Sequence, residues 1–345
     1  MPLGDPWRET EQRNVRSDFV RCSCSANECS QHANPPSISL DLIFCRALGL
    51  CRSIAEKGRK LNKHSKIRQA LVDAIRKDTT LIVPGAHDPI SAKLIERRRF
   101  PAVYVGSYAT SAARLGLPDV GLVSMSEMVD HARSIVDAVN VPVIADGENG
   151  WFNAANIWRT IRCFESAGVA AIHIEDHEFG KHAPVRPRLA SLKDSVGKIR
   201  AAVEARPDPN FLIIARSDAL WVTGDLEEVI RRLNAYAEAG ADLVMPTRIS
   251  PNLLAECRSR IKAQVVVTDK VGFSVEDEME SGASVVLYYG LSLYASYHGI
   301  NAALDSFSHL RDADKVPHLR DHIEEFETFM DYESFARRAE KFGVE

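Results

Sequence analysis

The chain has 345 residues, a formal net charge of −4, 26% charged and 45% hydrophobic residues, ordinary values for a soluble globular protein. That balance supplies no basic surface for a polyanion, so nucleic acid is not an expected partner, and no apolar run reaches the length of a membrane span. An odd count of seven cysteines without an export signal fits a reducing compartment, and the expected location is the cytoplasm.

Residues 1–64 differ from the rest. They hold five cysteines (Cys22, Cys24, Cys29, Cys45 and Cys51) among Pro, Ser and Asn, then turn basic from Arg52 to Lys63. The spacing in "CSCSANEC" matches no ordinary zinc finger, so the segment reads as a disordered extension, with organellar targeting left open. From Ser65 a rhythm begins. Short β-branched runs start at Thr80, Ala102, Val141, Ala170, Phe211, Leu243, Gln264 and Ser284, each followed by a helix-like stretch. Asn153 and Asp225 are expected helix N-caps; Gly168 and Gly240 fit the C-terminal stops. Apolar strands alternating with helices indicate a parallel sheet covered on both faces. Eight such units over about 240 residues predict an α/β fold, a (β/α)8 TIM-type barrel over residues 65–310 with additional C-terminal helices at 311–345. The competing open sheet lacks the Gly-x-Gly-x-x-Gly loop after any strand.

The polar residues then sort onto one rim. Asp88, Asp146, Glu148, Glu175, Asp176, Arg216, Asp218, Arg248, Asp269 and Lys270 fall at or just past predicted strand ends, which a barrel gathers at one mouth. In "VPVIADGENGW" a strand runs straight into Asp146 and Glu148, and strand alternation would point both inward beside Glu175. Three dry carboxylates on neighbouring strands repel one another; a hard divalent cation relieves that, and Mg²⁺ is the expected cofactor, with Mn²⁺ the alternative. Arg216 is placed to hold a substrate carboxylate bidentately. His173 is expected as a hydrogen-bonded barrel residue, Cys163 as a core thiol, and Tyr108, Trp151, Tyr288 and Tyr289 as candidate pocket walls.

The motifs "VPGAHDPISAKLIE", "GLPDVGLVSMSEM", "VPVIADGENG", "AAIHIED" and "FLIIARSDA", in that order, resemble the isocitrate lyase and phosphoenolpyruvate mutase superfamily from about Ser65 to the end. The resemblance implies a Mg²⁺-dependent barrel enzyme that makes or breaks bonds in small oxo or hydroxy acids through an enolpyruvate-like intermediate. It implies Asp146 as the direct metal ligand, with Asp119, Glu148 and Glu175 acting largely through bound water. Arg216 would hold the substrate carboxylate, and the backbone at Gly106 and Ser107 would bind its oxyanion end. It also implies a homodimer or homotetramer that exchanges a C-terminal helix. Departures concern the subfamily. In "DHEFGKHAPV", Lys181 stands where the lyases place a lysine, but Ala183 replaces both the lyase Cys and the phosphonomutase Asn. Asp-Gly-Glu replaces Asp-Ala-Asp, and Thr247 and Arg248 stand where lyases place a Glu.

Three functions follow. The first is a Mg²⁺-dependent lyase that cleaves a C–C bond in a 2-hydroxy or 2-oxo carboxylic acid, by retro-aldol cleavage or decarboxylation, with Lys181 or His182 as proton donor and Glu175 in the catalytic set. The second is P–C chemistry on phosphonopyruvate, with Arg248, Lys270 and Lys181 on the phosphonate. The third is a catalytically lapsed barrel acting as a binding module, a reading that Ala183 favours.

Overall fold

The structure is a computed structural model that describes residues 63–77, 79–178 and 187–344. The expected extension up to residue 62, and Lys181, His182 and Ala183, lie outside the described residues. Eight short strands, β1 (Leu81–Pro84), β2 (Val103–Val105), β3 (Val143–Asp146), β4 (Ala171–Glu175), β5 (Leu212–Ser217), β6 (Leu243–Pro246), β7 (Gln264–Thr268) and β8 (Val285–Tyr288), coincide with the eight β-branched runs. All pair in parallel in chain order, and β8 pairs with β1. The ring closes between β1 and β2 at a bridge from Gly85 to Tyr104, where the Ala86 N–H donates to the Tyr104 carbonyl at 2.8 Å.

Two cores follow from the period of two in each strand. One set of alternate residues (Val83, Tyr104, Ile144, Ile214, Met245, Val266, Leu287) fills the barrel. The other set (Val105, Ala145, Ile172, Ile213, Val244, Val265, Val286) meets the surrounding helices. Side chains therefore pack both faces of every strand, as near-continuous apolar runs require.

The helix Lys63–Ile75 closes the bottom of the barrel. Its Leu71, Val72 and Ile75 join the inner core. Arg68, 4% exposed, fixes this helix to the shell: Nε donates to the Val169 carbonyl at 2.9 Å and Nη1 reaches Asp208 at 3.1 Å. Behind it, Gly168 (φ 87°) ends the helix before β4, and a Cβ there would come within 2.6 Å of the His64 ring.

Asp225 caps its helix as expected, accepting from the Glu227 N–H at 2.9 Å. Asn153 does not. Its side chain closes a turn with the Ala155 N–H at 3.1 Å, and the helix Trp158–Ser166 begins only after Ile157, because the loop from β3 spends four more residues in turns. After β8 the long helix Leu291–Leu310 has no buried residue and exposes Tyr297, Ile300 and Leu304 by about 60% each. The helices Ile323–Phe329 and Tyr332–Lys341 follow. Among the described residues no helix is long and apolar enough to cross a membrane.

Arg68→Met is expected to cost about 3 kcal/mol, since it removes the charged partner of the half-buried Asp208 and Glu165 and frees the bottom helix. Urea unfolding would register this as a lower midpoint at unchanged slope.

Candidate active site

The register of the sheet assembles the site. Asp146 lies opposite His173, and Glu175 opposite Arg216, so the inward rows of β3, β4 and β5 end side by side in Asp146, Glu175 and Arg216. Arg216 is gripped from two sides. Its Nε and Nη2 meet the two oxygens of Asp218 at 3.0 and 3.3 Å, and Nη1 meets Glu175 Oε2 at 3.1 Å. A guanidinium has five N–H donors. Two of them bond Asp218, Nη1 forms an ion pair with Glu175, and the guanidinium lines the cavity. Burial opposes its charge, but Asp218, Glu175 and Asp146 outweigh that and hold Arg216 charged well above its ordinary range.

Asp218 is itself held. Burial pushes its carboxyl up, yet the Arg216 charge and hydrogen bonds from His177, Thr247 and Arg216 hold it well below the usual carboxylate range. His177 Nδ1 lies 3.0 Å from Asp218, and its ring meets Trp221 edge-on at 5.0 Å. The Arg248 guanidinium stacks over the same Trp221 at 4.1 Å, on a backbone with φ 60°. Left-handed backbone at a non-glycine residue is strain that the surroundings must hold in place.

Asp146, 3% exposed, accepts from the Ser107 N–H at 3.1 Å, the Ser107 hydroxyl at 2.8 Å and the Glu148 N–H at 2.8 Å. The Ser107 N–H is therefore directed at Asp146. His173 lies 3.5 Å from Asp146 and bonds the Tyr104 hydroxyl at 2.9 Å, a buried barrel residue as expected. Asp119 sits 3.4 Å from the Ser107 hydroxyl.

Glu148 corrects the alternation argument. It lies beyond the end of β3, in a turn with φ 48°, so strand pleat does not orient it. It is nevertheless buried, and its carbonyl accepts from the Glu175 N–H at 2.9 Å, which ties the turn to β4.

A cavity of about 390 Å³ opens at this mouth. Gly106, Ser107, Asp119, Asp146, Arg216 and Arg248 line it, with Asp269 and Lys270 opposite and Tyr108, Trp221 and Tyr289 as aromatic walls. Two expected walls are elsewhere: Trp151 stacks on Phe164 at 6.1 Å, and Tyr288 packs against the outer core. Two expected rim acids are structural. Asp88 caps the helix Pro89–Arg97. Asp176 points away from the barrel axis, accepting from Tyr236 at 2.7 Å, Ser217 at 2.8 Å and Arg232 at 3.1 Å. His177, Trp221 and Lys198 were not singled out from the sequence. None sits in an alternating apolar run that would have flagged its face.

The donor set suits a divalent cation in type. Asp146, Glu148 and Glu175 are buried carboxylates, the hard oxygen ligands that Mg²⁺ prefers. Glu175, His177 and Asp218 also bring ligand atoms within 4.8 Å of one another. Arg216 already pairs with Glu175 and Asp218, so a cation centred in that trio would face a guanidinium. Asp146 stands outside that trio and lines the cavity itself.

With the site in view, comparison with known proteins is decisive. Residues 72–308 match the family described as phosphoenolpyruvate phosphomutase. The chain belongs to the phosphoenolpyruvate mutase and isocitrate lyase superfamily. It is 37% identical to the 2,3-dimethylmalate lyase of Eubacterium barkeri over 284 residues, 79% of this chain and 94% of that protein. A solved phosphoenolpyruvate phosphomutase from Streptomyces platensis subsp. rosaceus superposes with a TM-score of 0.75 at 31% identity, covering 80% of this chain and 99% of that one. A phosphonopyruvate hydrolase, solved with oxalate and Mg²⁺, superposes with a TM-score of 0.74 at 26% identity, covering 83% and 100%. This is an enzyme superfamily of Mg²⁺-dependent C–C and P–C bond cleavage, and the chain is one of its enzymes.

Because the folded Asp218 carboxyl is lowered, its stabilisation is fully present above the unfolded value near 4 and fades as pH falls toward the folded one. Asp218→Asn should therefore destabilise by about 3 kcal/mol at pH 7, and the gap to the parent should narrow below pH 4. Urea midpoints across pH 3–7 would check it; a gap independent of pH would contradict the pairing.

Proposed function

We propose that this enzyme is a Mg²⁺-dependent lyase that cleaves a C–C bond in a small 2-hydroxy or 2-oxo carboxylic acid. The observation carrying the reading is that Asp146 and the charged Arg216 guanidinium line one cavity at the barrel mouth. The resemblance over nearly the full length of a 2,3-dimethylmalate lyase supports C–C rather than P–C cleavage.

Asp146 is the carboxylate that would hold Mg²⁺ or Mn²⁺ directly, with Asp119, Glu148 and Glu175 arranging its water shell. The bound ion supplies Lewis-acid stabilisation of the negative charge that develops on the substrate oxygens. Arg216 holds the C1 carboxylate through N–H groups facing the cavity, and Gly106 and Ser107 form the adjoining wall. With a 2-hydroxy acid, Glu175 takes the hydroxyl proton. The C2–C3 bond breaks, its electron pair stays on C3, and C2 becomes the carbonyl of a 2-oxo acid. With a 3-carboxy-2-oxo acid, the C3–carboxylate bond breaks instead, CO2 leaves, and the bonding pair stays on C3 as an enolate with the 2-oxo group. Either C3 is then protonated, the role the sequence gives to Lys181 or His182. The exposed apolar face of the helix Leu291–Leu310 supports a homodimer or homotetramer assembled through the C-terminal helices.

P–C cleavage is the second reading. Arg248 and Lys270 add two cations to the same cavity, more positive charge than one carboxylate requires.

A panel of 2,3-dimethylmalate, oxaloacetate and phosphonopyruvate, followed for 2-oxo acid with and without Mg²⁺, separates the two. Turnover of either carboxylic acid is expected, abolished by a chelator and restored by Mg²⁺. Turnover of phosphonopyruvate alone would replace the first reading with the second. Asp146→Ala should cut turnover about 1,000-fold while the circular dichroism spectrum stays unchanged.

A further inference from the structure

The turn Gly147–Gly150 carries Glu148 and follows Asp146 directly, and its conformation is costly. Glu148 and Trp151 are non-glycine residues at φ 48° and 56°, and Gly150 lies at φ 85°. Gly147 is pressed against β4: a Cβ there would come within 2.6 Å of Ile172 and 2.7 Å of the His173 carbonyl. Something must hold the turn in place.

Its four carbonyls show what does. That of Gly147 accepts from the Gly150 N–H at 2.8 Å and that of Glu148 from the Glu175 N–H at 2.9 Å. That of Gly150 accepts from the Thr160 hydroxyl at 2.7 Å. That of Asn149 accepts from Lys198 Nζ at 2.7 Å. Three of these ties are neutral; the fourth is a charged side chain reaching in from the helix Leu192–Ala205. Lys198 is half-buried. Burial lowers its pKa, while Glu175 and then Asp176 oppose that. The ammonium thus lies between the Glu148 turn and the end of β4, the two places that supply acids to the ion seat.

We infer that Lys198 is a positioning residue that clamps the Asn149 carbonyl, fixes the left-handed Glu148 turn, and so sets the enzyme's affinity for its divalent cation. This rests on the metal-dependent reading above. A lysine that only packed its stem against the helix face would leave ion affinity alone. One that acted only as a nearby positive charge would repel the ion, and its removal would tighten binding. Geometry predicts the opposite sign.

The test is direct Mn²⁺ binding to the purified full chain, without substrate, by calorimetry and by the electron paramagnetic resonance of free Mn²⁺. Lys198→Met should weaken binding about 10- to 100-fold, the usual cost of losing a group that orients metal ligands. Lys198→Arg, which keeps donor and charge, should stay within about threefold of the parent. If Lys198→Met does not fold, Lys198→Gln is measured in its place and read the same way. Mn²⁺ binding equal to or tighter than the parent's in the neutral variant overturns the inference, even where the melting temperature falls. A parent chain that binds no Mn²⁺ overturns the metal-dependent reading and this inference with it.

Discussion

Arg216 stands among three acids, and most of the site can be derived from how its one charge is shared. Asp218 takes two N–H groups and Glu175 forms an ion pair with Nη1, while Asp146 acts from slightly farther away. In a dry barrel mouth a guanidinium without acids, or acids without a guanidinium, would carry a desolvation penalty of several kcal/mol per ion. Together they form a rigid, charged platform. The relay behind it, Thr247 and His177 on Asp218 and Trp221 on His177, fixes the platform from below and carries Arg248 to the far wall of the cavity. The proposed chemistry uses this stiffness, because preorganised charge stabilises a developing anion best when it does not have to move.

Much of this was legible in the residues. Parallel strands buried on both faces have little choice of composition, so all eight β-branched runs became strands. The period of two points Asp146 and Glu175 to the inner face, and Arg216 ends the next strand beside them. The same logic failed where the strand stopped. Glu148 is buried for a different reason from Asp146: a left-handed turn held by its neighbours carries it, and no pleat rule extends past a strand end. Asp88 and Asp176 sat at strand ends too, yet one caps a helix and the other serves the outer face. Position along a strand locates a residue on the rim; it does not say which side of the rim the residue serves.

His177, Trp221 and Lys198 were illegible for a related cause. Each acts through a partner distant in sequence, His177 on Asp218 and Lys198 on Asn149, and such pairings come from the winding of the barrel. Asn153 misled in the other direction. A side chain well suited to cap a helix closed a local turn instead, because the loop leaving β3 needed length to bring Trp151 onto Phe164 before the helix could begin.

The helix Lys63–Ile75 has a consequence for traffic. Its Leu71, Val72 and Ile75 merge with the barrel's inner side chains, so the base is stoppered with hydrocarbon. Among the described residues, the cavity lined by Asp146 and Arg216 opens at the other end. On the proposed binding mode, what is made inside leaves by the route its precursor used, and the fragment nearer the opening goes before the one held against Arg216. Order of departure would then be dictated by architecture, independent of how tightly either fragment is held.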